Sequence, residues 1–324
     1  MSRRLTNALL MASTALLVAS GVAGWVLPEA LALPLYPLHR VAGVGLMLGL
    51  VWKYGIAAGS VRRRIGRDAS IVAGLAAAGA VALCLALGVM WSLGAVSFDR
   101  PIPYSPLNLH VFAGLALLPL LAWHALLRAG PRNGGALVSR RDALRFLAVG
   151  GVAAAFVRAS DLVAPARRPT GSRHSRSFSG NDFPVTIWQL DEVPEVDVRS
   201  WSLAVTGAVG SVRVTYDDLA ALGTAELDAV IDCTGGWWSE QRWKGAPVAA
   251  LLAGQRVEGG QRVRVVSVTG HGWEFSAQEV SDALLATHVG GEPLTPDHGY
   301  PVRLVVPGRR GFQWVKWVSR IEVA

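Results

Sequence analysis

The first 160 residues consist mostly of long apolar runs, whereas the remainder alternates apolar and polar positions over short stretches. Leu5 to Leu27, Pro34 to Ala58, Ile71 to Val96 and Leu107 to Leu127 are each long enough to cross a bilayer as a helix. Leu144 to Val157 is shorter, a fifth span at the margin of sufficient length. Helix is the expected state because a lone segment in lipid must satisfy its backbone groups internally. Beyond residue 180 the pattern shifts toward period two. Trp201 to Val214 reads as strand with turns or bulges at Gly207 and Gly210, and Tyr216 to Leu222 as a short helix opened by Thr215. Ala229 to Ile231 reads as a buried strand, and Pro247 to Leu252 as another short helix. Val263 to Val268, Trp273 to Ser276, Val302 to Val306 and Val315 to Val323 complete the expected strands. The resulting division is a helical membrane part at 1–158, a linker at 159–180 and an α+β domain at 181–324.

Composition sharpens that division. The 324 residues are 52% hydrophobic, an excess carried almost wholly by the first half. The net charge of +8 could suggest a nucleic-acid partner. The arginines cluster instead at the ends of apolar runs, in Arg62-Arg63-Arg64-Ile65-Gly66-Arg67 and from Arg128 to Arg145, which favours topology signals and no nucleic acid. With Arg3-Arg4 leading the first run and the segments around Glu29 and Asp99 poor in basic residues, the N-terminus and both basic loops face the cytoplasm. An odd number of spans then places everything after residue 160 on the extracytoplasmic side of a bacterial inner membrane. Ala164 to Gly180, rich in Arg, Pro, Ser and Gly, reads as a flexible tether, with His174 a solvated residue within it. Two cysteines, Cys84 inside an apolar run and Cys233, give no disulfide framework.

Cys233 follows the apolar run at Val230-Ile231 and precedes Gly235-Gly236. A thiol on a strand-end loop, where backbone can approach closely, suits a soft metal ligand or a nucleophile. No GxGxxG or phosphate-loop pattern accompanies it. Ionisable groups in the apolar runs call for a role as well. His39 and His110 lie near the same end of the second and fourth runs, the arrangement that bis-histidine haem ligation requires. His124 follows His110 by fourteen residues, about four turns and roughly 21 Å along the same face. Fourteen residues after His39 stands Lys53. The segment is similar to diheme b-type membrane cytochromes with Lys53 in place of one ligand, so one haem at His39 and His110 is expected, and His124 is read as an anchor or quinone-site residue ahead of a ligand to a second haem.

Asp232-Cys233-Thr234-Gly235-Gly236, Gly290-Gly291-Glu292-Pro293-Leu294, the run from His298 to Gly308 and Val315-Lys316-Trp317 resemble the sulfite oxidase family of molybdopterin enzymes, in the right order from about Asn181 to Val323. The resemblance implies a molybdenum held by a pterin and by the Cys233 thiolate, with Asn181, Thr234, His298, Arg303, Arg310, Gly311 and Lys316 as cofactor-binding positions. Soft thiolate suits molybdenum, and Arg and Lys neutralise a phosphate. Where sulfite-oxidising members carry arginine close behind the cysteine, this chain has Trp237 and Trp238. Arg242 comes later, and Arg242, Trp238 and His271 are candidate pocket residues. Ser139-Arg140-Arg141-Asp142-Ala143-Leu144 resembles a twin-arginine export signal set inside the chain. The expectation is a membrane-anchored molybdenum oxidoreductase acting on a sulfoxide or other oxygen-atom donor or acceptor. A haem b domain fused in front would exchange electrons with a quinone or another membrane carrier. The alternatives are a sulfite dehydrogenase-type enzyme and a non-catalytic membrane-anchored binding module.

Overall fold

The computed structural model describes residues 3–27, 29–94, 105–127, 140–163, 167–187, 192–222, 224–255, 257 and 260–324. The segment around Asp99 and the basic stretch from Arg128 through Ser139 lie outside them. The chain forms two units, Met1–Gly171 and Ser172–Ala324.

The first unit is helical: α1 (Arg3–Val26), α2 (Glu29–Ala32), α3 (Leu35–Arg64), α4 (Ala69–Leu93), α5 (Pro106–Leu127) and α6 (Arg140–Val163). Five of these, all but α2, are long and apolar enough to cross a membrane. The fifth span is longer than the sequence pattern indicates. Its helix runs on to Val163 because Asp161 is paired with Arg40 of α3 and with Arg167, and Ser160 accepts from Arg40. α1 packs on α3, and α4 on α5. Leu46, Ala77, Val81 and Leu117 form a small buried cluster joining α3, α4 and α5. Leucines elsewhere in the unit, such as Leu83, Leu115 and Leu126, are exposed, as helices facing lipid would have them.

The second unit is α+β. One six-stranded sheet holds β1 (Arg173–His174), β4 (Ala225–Asp232), β5 (Trp237–Pro247), β8 (Leu284–Val289), β9 (Glu292–Pro293) and β10 (Arg303–Val305). A five-stranded sheet orders β3 (Gly210–Thr215), β2 (Ser202–Gly207), β11 (Val318–Val323), β6 (Arg262–Ser267) and β7 (Gly272–Ser276). Short helices α7 (Tyr216–Ala221), α8 (Val248–Leu252) and α9 (Ala277–Ser281) connect strands. Thr215 opens α7 with a reciprocal capping box to Asp218, and Ser276 opens α9 in the same way with Glu279. Trp243, Trp314, Trp317, Phe275, Leu203 and Leu285 are among the fully buried side chains of the core.

The stretch read as a flexible tether is structured from residue 172 onward. β1 pairs in parallel with β5, Ser172 donates to the buried Asp232 carboxylate at 2.6 Å, and Glu240 N donates to Ser177. Its serines Ser172 and Ser177, which suggested solvation, are spent on the edge of a sheet. His174 is exposed, as expected, and packs edge-on against Trp238 at 4.8 Å.

Candidate active site and helical histidine pair

The turn after β4 is closed by the backbone. Cys233 N donates to Trp237 O at 2.8 Å, and Gly236 N donates to Cys233 O at 2.9 Å. Gly236 has φ +91°, a conformation most side chains resist, so glycine there is what lets the chain reverse into β5. The reversal aims Cys233 Sγ into a cleft, where Gly235 N donates to it at 3.3 Å and Thr186 Oγ1 lies 3.3 Å away. Amide donors stabilise a thiolate, the form that binds metal.

The cleft has about 750 Å³ of empty space, part of it open to solvent. Besides Cys233 its walls include Thr234, Gly311, Ser267 and His271, the aromatic rings of Phe183, Trp237, Phe312, Trp314 and Trp317, and the cationic pair Arg303 and Lys316. Arg303 stands on β10 with its side chain 2% exposed. Its guanidinium lies over Trp243 at 5.4 Å and near Trp314 at 5.9 Å, and Nη1 donates to His298 O. Among the described residues Nε has no hydrogen-bond partner. Burial pushes the Arg303 pKa down to about 10, with Cys233 acting in the opposite direction, so the group stays cationic at neutral pH. Lys316 Nζ donates to Asp297 O at 2.6 Å and to Thr186 O at 3.0 Å. The following residue, Trp317, has φ +51°, which is unusual for a bulky side chain. Its indole donates to Pro296 O at 2.6 Å, and burial holds it there. Gly299, at φ +113°, lets the two cations approach: a methyl on it would lie 3.1 Å from Arg303 Cβ and 3.3 Å from Lys316 Cβ.

His298 is 3% exposed, between Thr295 Oγ1 at 2.7 Å from Nδ1 and Phe183 O at 3.0 Å from Nε2. A carbonyl only accepts, so Nε2 carries the proton. Burial first, and then the charge of Arg303, push the His298 pKa down to about 4.

Cys233, Thr234, His298, Arg303, Gly311 and Lys316 therefore meet at one cleft. Four other expected residues do not line it. Arg242 is exposed on β5, bound bidentately to Asp228 at 2.8 and 2.9 Å across the β4–β5 pair. Trp238 faces His174 because strand alternation turns it away from the side that Trp237 occupies. Asn181 braces the loop before His298, donating to Pro293 O and accepting from Thr295 N. Arg310 is buried behind the cysteine turn, 3.1 Å from Asp232 Oδ1, with Nη2 donating to Cys233 O at 3.4 Å. Trp237, noted in the sequence beside Trp238 as standing where sulfite-oxidising members carry arginine, lines the cleft together with Thr186, which the sequence does not mark. Trp237 Nε1 donates to Thr186 Oγ1, which also meets the cysteine sulfur. Trp237 was legible from alternation once β5 was recognised, whereas nothing in sequence singles out Thr186.

The residues fit the pterin–molybdenum group that the resemblance implies. A sulfur with an amide donor faces the cleft, and a buried guanidinium there has an Nε unpartnered among the described residues.

The helical unit holds a second constellation. The rings of His39 and His110 are 6.0 Å apart, inclined at 75°. His39 Nδ1 lies 3.0 Å from Ser20 Oγ, and the Ser20 hydroxyl donates to Leu16 O at 2.6 Å. His110 Nδ1 lies 2.7 Å from Cys84 O. These partners place the ring protons on Nδ1 and leave each Nε2 with its lone pair, as second-shell bonds do for metal-ligating imidazoles. His124 Nδ1 likewise meets Ser70 O at 3.2 Å. Among the described residues no group of three or more His, Cys, Asp or Glu side chains could hold a metal ion.

The second unit is a molybdopterin-binding domain of an oxidoreductase. Residues 190–324 match the family described as the oxidoreductase molybdopterin binding domain. The chain is 33% identical to the NADH nitrate reductase of Hordeum vulgare, over 40% of this chain and 18% of that one. It is 30% identical to the mitochondrial sulfite oxidase of Rattus norvegicus, over 45% of this chain and 32% of that one. The crystal structure of the sulfane dehydrogenase SoxCD from Paracoccus pantotrophus aligns with a TM-score of 0.38 and 28% identity, over 40% of each chain. The chain covers a third or less of the length of these two curated relatives. Its C-terminal part belongs to the sulfite oxidase/nitrate reductase family of molybdopterin-binding oxidoreductase domains.

Proposed function

We propose that this protein is a membrane-anchored molybdenum oxidoreductase whose cleft faces the extracytoplasmic side and whose helical unit passes electrons to or from a membrane carrier such as a quinone. The observation that carries the reading is the convergence of the Cys233 sulfur with Arg303 and Lys316 in one cleft. When bound, the molybdenum–pterin group would supply two-electron oxygen-atom exchange with a small substrate. Cys233 would ligate the metal through its thiolate, with the Gly235 amide lowering the cost of that charge. Arg303, Lys316 and His298 would grip the pterin and its phosphate, held in place by Asp297 O, Phe183 O and the Trp243 face. The rings of Phe183, Trp237, Trp314 and Phe312 would exclude water around the metal ligand.

The same walls favour a neutral, sulfoxide-like substrate. Among the described lining residues the full cations are Arg303 and Lys316, both allotted here to the pterin, and Arg242 is tied to Asp228 outside the cleft. Sulfite, a small oxyanion, would call for a further cationic donor. His39 and His110 would hold a haem b through their imidazoles, and that group would supply single-electron transfer. The positive-inside pattern supports the sidedness, and Arg140-Arg141, in the first turn of α6, would serve as an export signal for a domain folded with its cofactor.

The test is reduction of aryl and alkyl sulfoxides by the purified full chain with a reduced viologen dye. Turnover is expected, and Cys233→Ser is expected to lose more than about 100-fold, beyond the cost of an outer-shell partner. A serine variant with unimpaired turnover would remove Cys233 from the chemistry.

A further inference from the structure

The helical unit repeats one device at a step of fourteen residues. On α1 and α3, Gly21 faces His39: a methyl on Gly21 would lie 3.4 Å from His39 Cε1. On α4 and α5, Gly88 faces His110, where a methyl would lie 3.2 Å from Cε1, and Gly74 faces His124, where it would lie 2.9 Å from Cε1. Each imidazole is thus seated against the backbone of a glycine, where a methyl would clash at Gly74, crowd the ring at Gly88 and reach van der Waals contact at Gly21. Gly74 precedes Gly88 by fourteen residues, and His124 follows His110 by the same number. Fourteen residues is about four helical turns and roughly 21 Å, so the two levels share a helix face.

The same step on the other hairpin leads from Gly21 back to Asn7 and from His39 on to Lys53. Those two residues also meet: Lys53 Nζ donates to Asn7 Oδ1 at 2.8 Å. The register that pairs glycine with histidine at the first level pairs asparagine with lysine at the second. The substitution reverses the chemistry. An ammonium donates only and has no lone pair for iron, and the Asn7 carboxamide supplies the acceptor that holds it. The Asn7 side chain also stands where Gly21, one repeat on, leaves the backbone bare.

We infer that the helical unit has two structurally repeated levels, of which only the His39–His110 level binds a haem, the second being closed by the Lys53–Asn7 pair and left with the single imidazole of His124. This inference rests on the haem reading proposed above. Its consequence is that electrons enter or leave the membrane unit at the level of His39 and His110, and that His124 holds its place through Ser70 O and Gly74 rather than through iron.

The test is haem per chain, by pyridine haemochromogen absorbance against protein, on the full detergent-solubilised chain, alongside His39→Ala, His110→Ala, His124→Ala and the double variant Asn7→Gly with Lys53→His. The expected result is about one haem in the native chain and in His124→Ala, and its loss from His39→Ala and His110→Ala. The double variant is expected to rise toward two, with a second component in a potentiometric titration. Two haems in the native chain, or loss of haem from His124→Ala, would overturn the inference while leaving the haem reading intact. A double variant that stays at one haem would overturn the assignment of Lys53–Asn7 as the block. No haem in the native chain would defeat the haem reading itself, and this inference with it.

Discussion

At the scale of single residues the site rests on a few unusual placements. Cys233 is held by the turn that Gly236 permits, and Arg303 is a buried cation cushioned by two indoles. His298 is the most informative ionisable group. Its pKa in the folded chain, about 4, lies below the ordinary value of 6.5, so protonation favours the unfolded chain. The stability this group contributes is fully present above about pH 6.5 and is lost as pH falls toward 4. The shift corresponds to on the order of 3 kcal/mol. Denaturation of the cofactor-free protein should show lower stability at pH 5 than at pH 7, and His298→Gln should flatten that difference. An unchanged slope in the glutamine variant would mean other groups set it. The cationic and sulfur-bearing residues of the cleft were legible in sequence because their types and order carry chemistry. Arg242 and Trp238 misled because distance along a chain says nothing of strand face: one residue separates Trp237, which lines the cleft, from Trp238, which does not.

At the scale of elements, β5 organises the catalytic unit. It pairs with β1, β4 and β8, starts at the cysteine turn and carries Trp243 beneath Arg303. No strand was expected over 237–247, since its tryptophans and Gly245 break the apolar alternation. Gly245 has a structural reason. The register with β8 shifts between Lys244 and Gly245, and a methyl on Gly245 would fall 2.0 Å from Leu285 O and 2.7 Å from Ala286 Cα. Gly245→Ala must push two paired strands apart, at a cost of about 2 kcal/mol or more. A lowered denaturation midpoint would register it, whereas an unchanged midpoint would mean the bulge yields freely. The shorter elements were readable because local chemistry fixes them, as the Thr215 capping box fixes α7. The apparent tether was not, because its polar residues bond to β5 from sixty residues away in sequence.

At the scale of the whole molecule, two units with separate cores account for the apolar first half and the alternating second half. The long apolar runs made the helices legible, but not how α3 and α5 bring His39 and His110 within 6.0 Å. The charge pattern predicts a sidedness: in intact spheroplasts, an added protease should reach the Cys233-bearing unit. Protection in spheroplasts with cleavage after lysis would reverse the topology.

The central claim is that Cys233 ligates molybdenum. The most direct measurement is molybdenum content of the full chain, purified from a host that makes the pterin cofactor, with molybdenum-edge X-ray absorption on the native protein and Cys233→Ser. About one molybdenum per chain is expected, with one sulfur neighbour fewer in the variant. No molybdenum in the native protein, or an unchanged sulfur shell in the variant, would contradict the account.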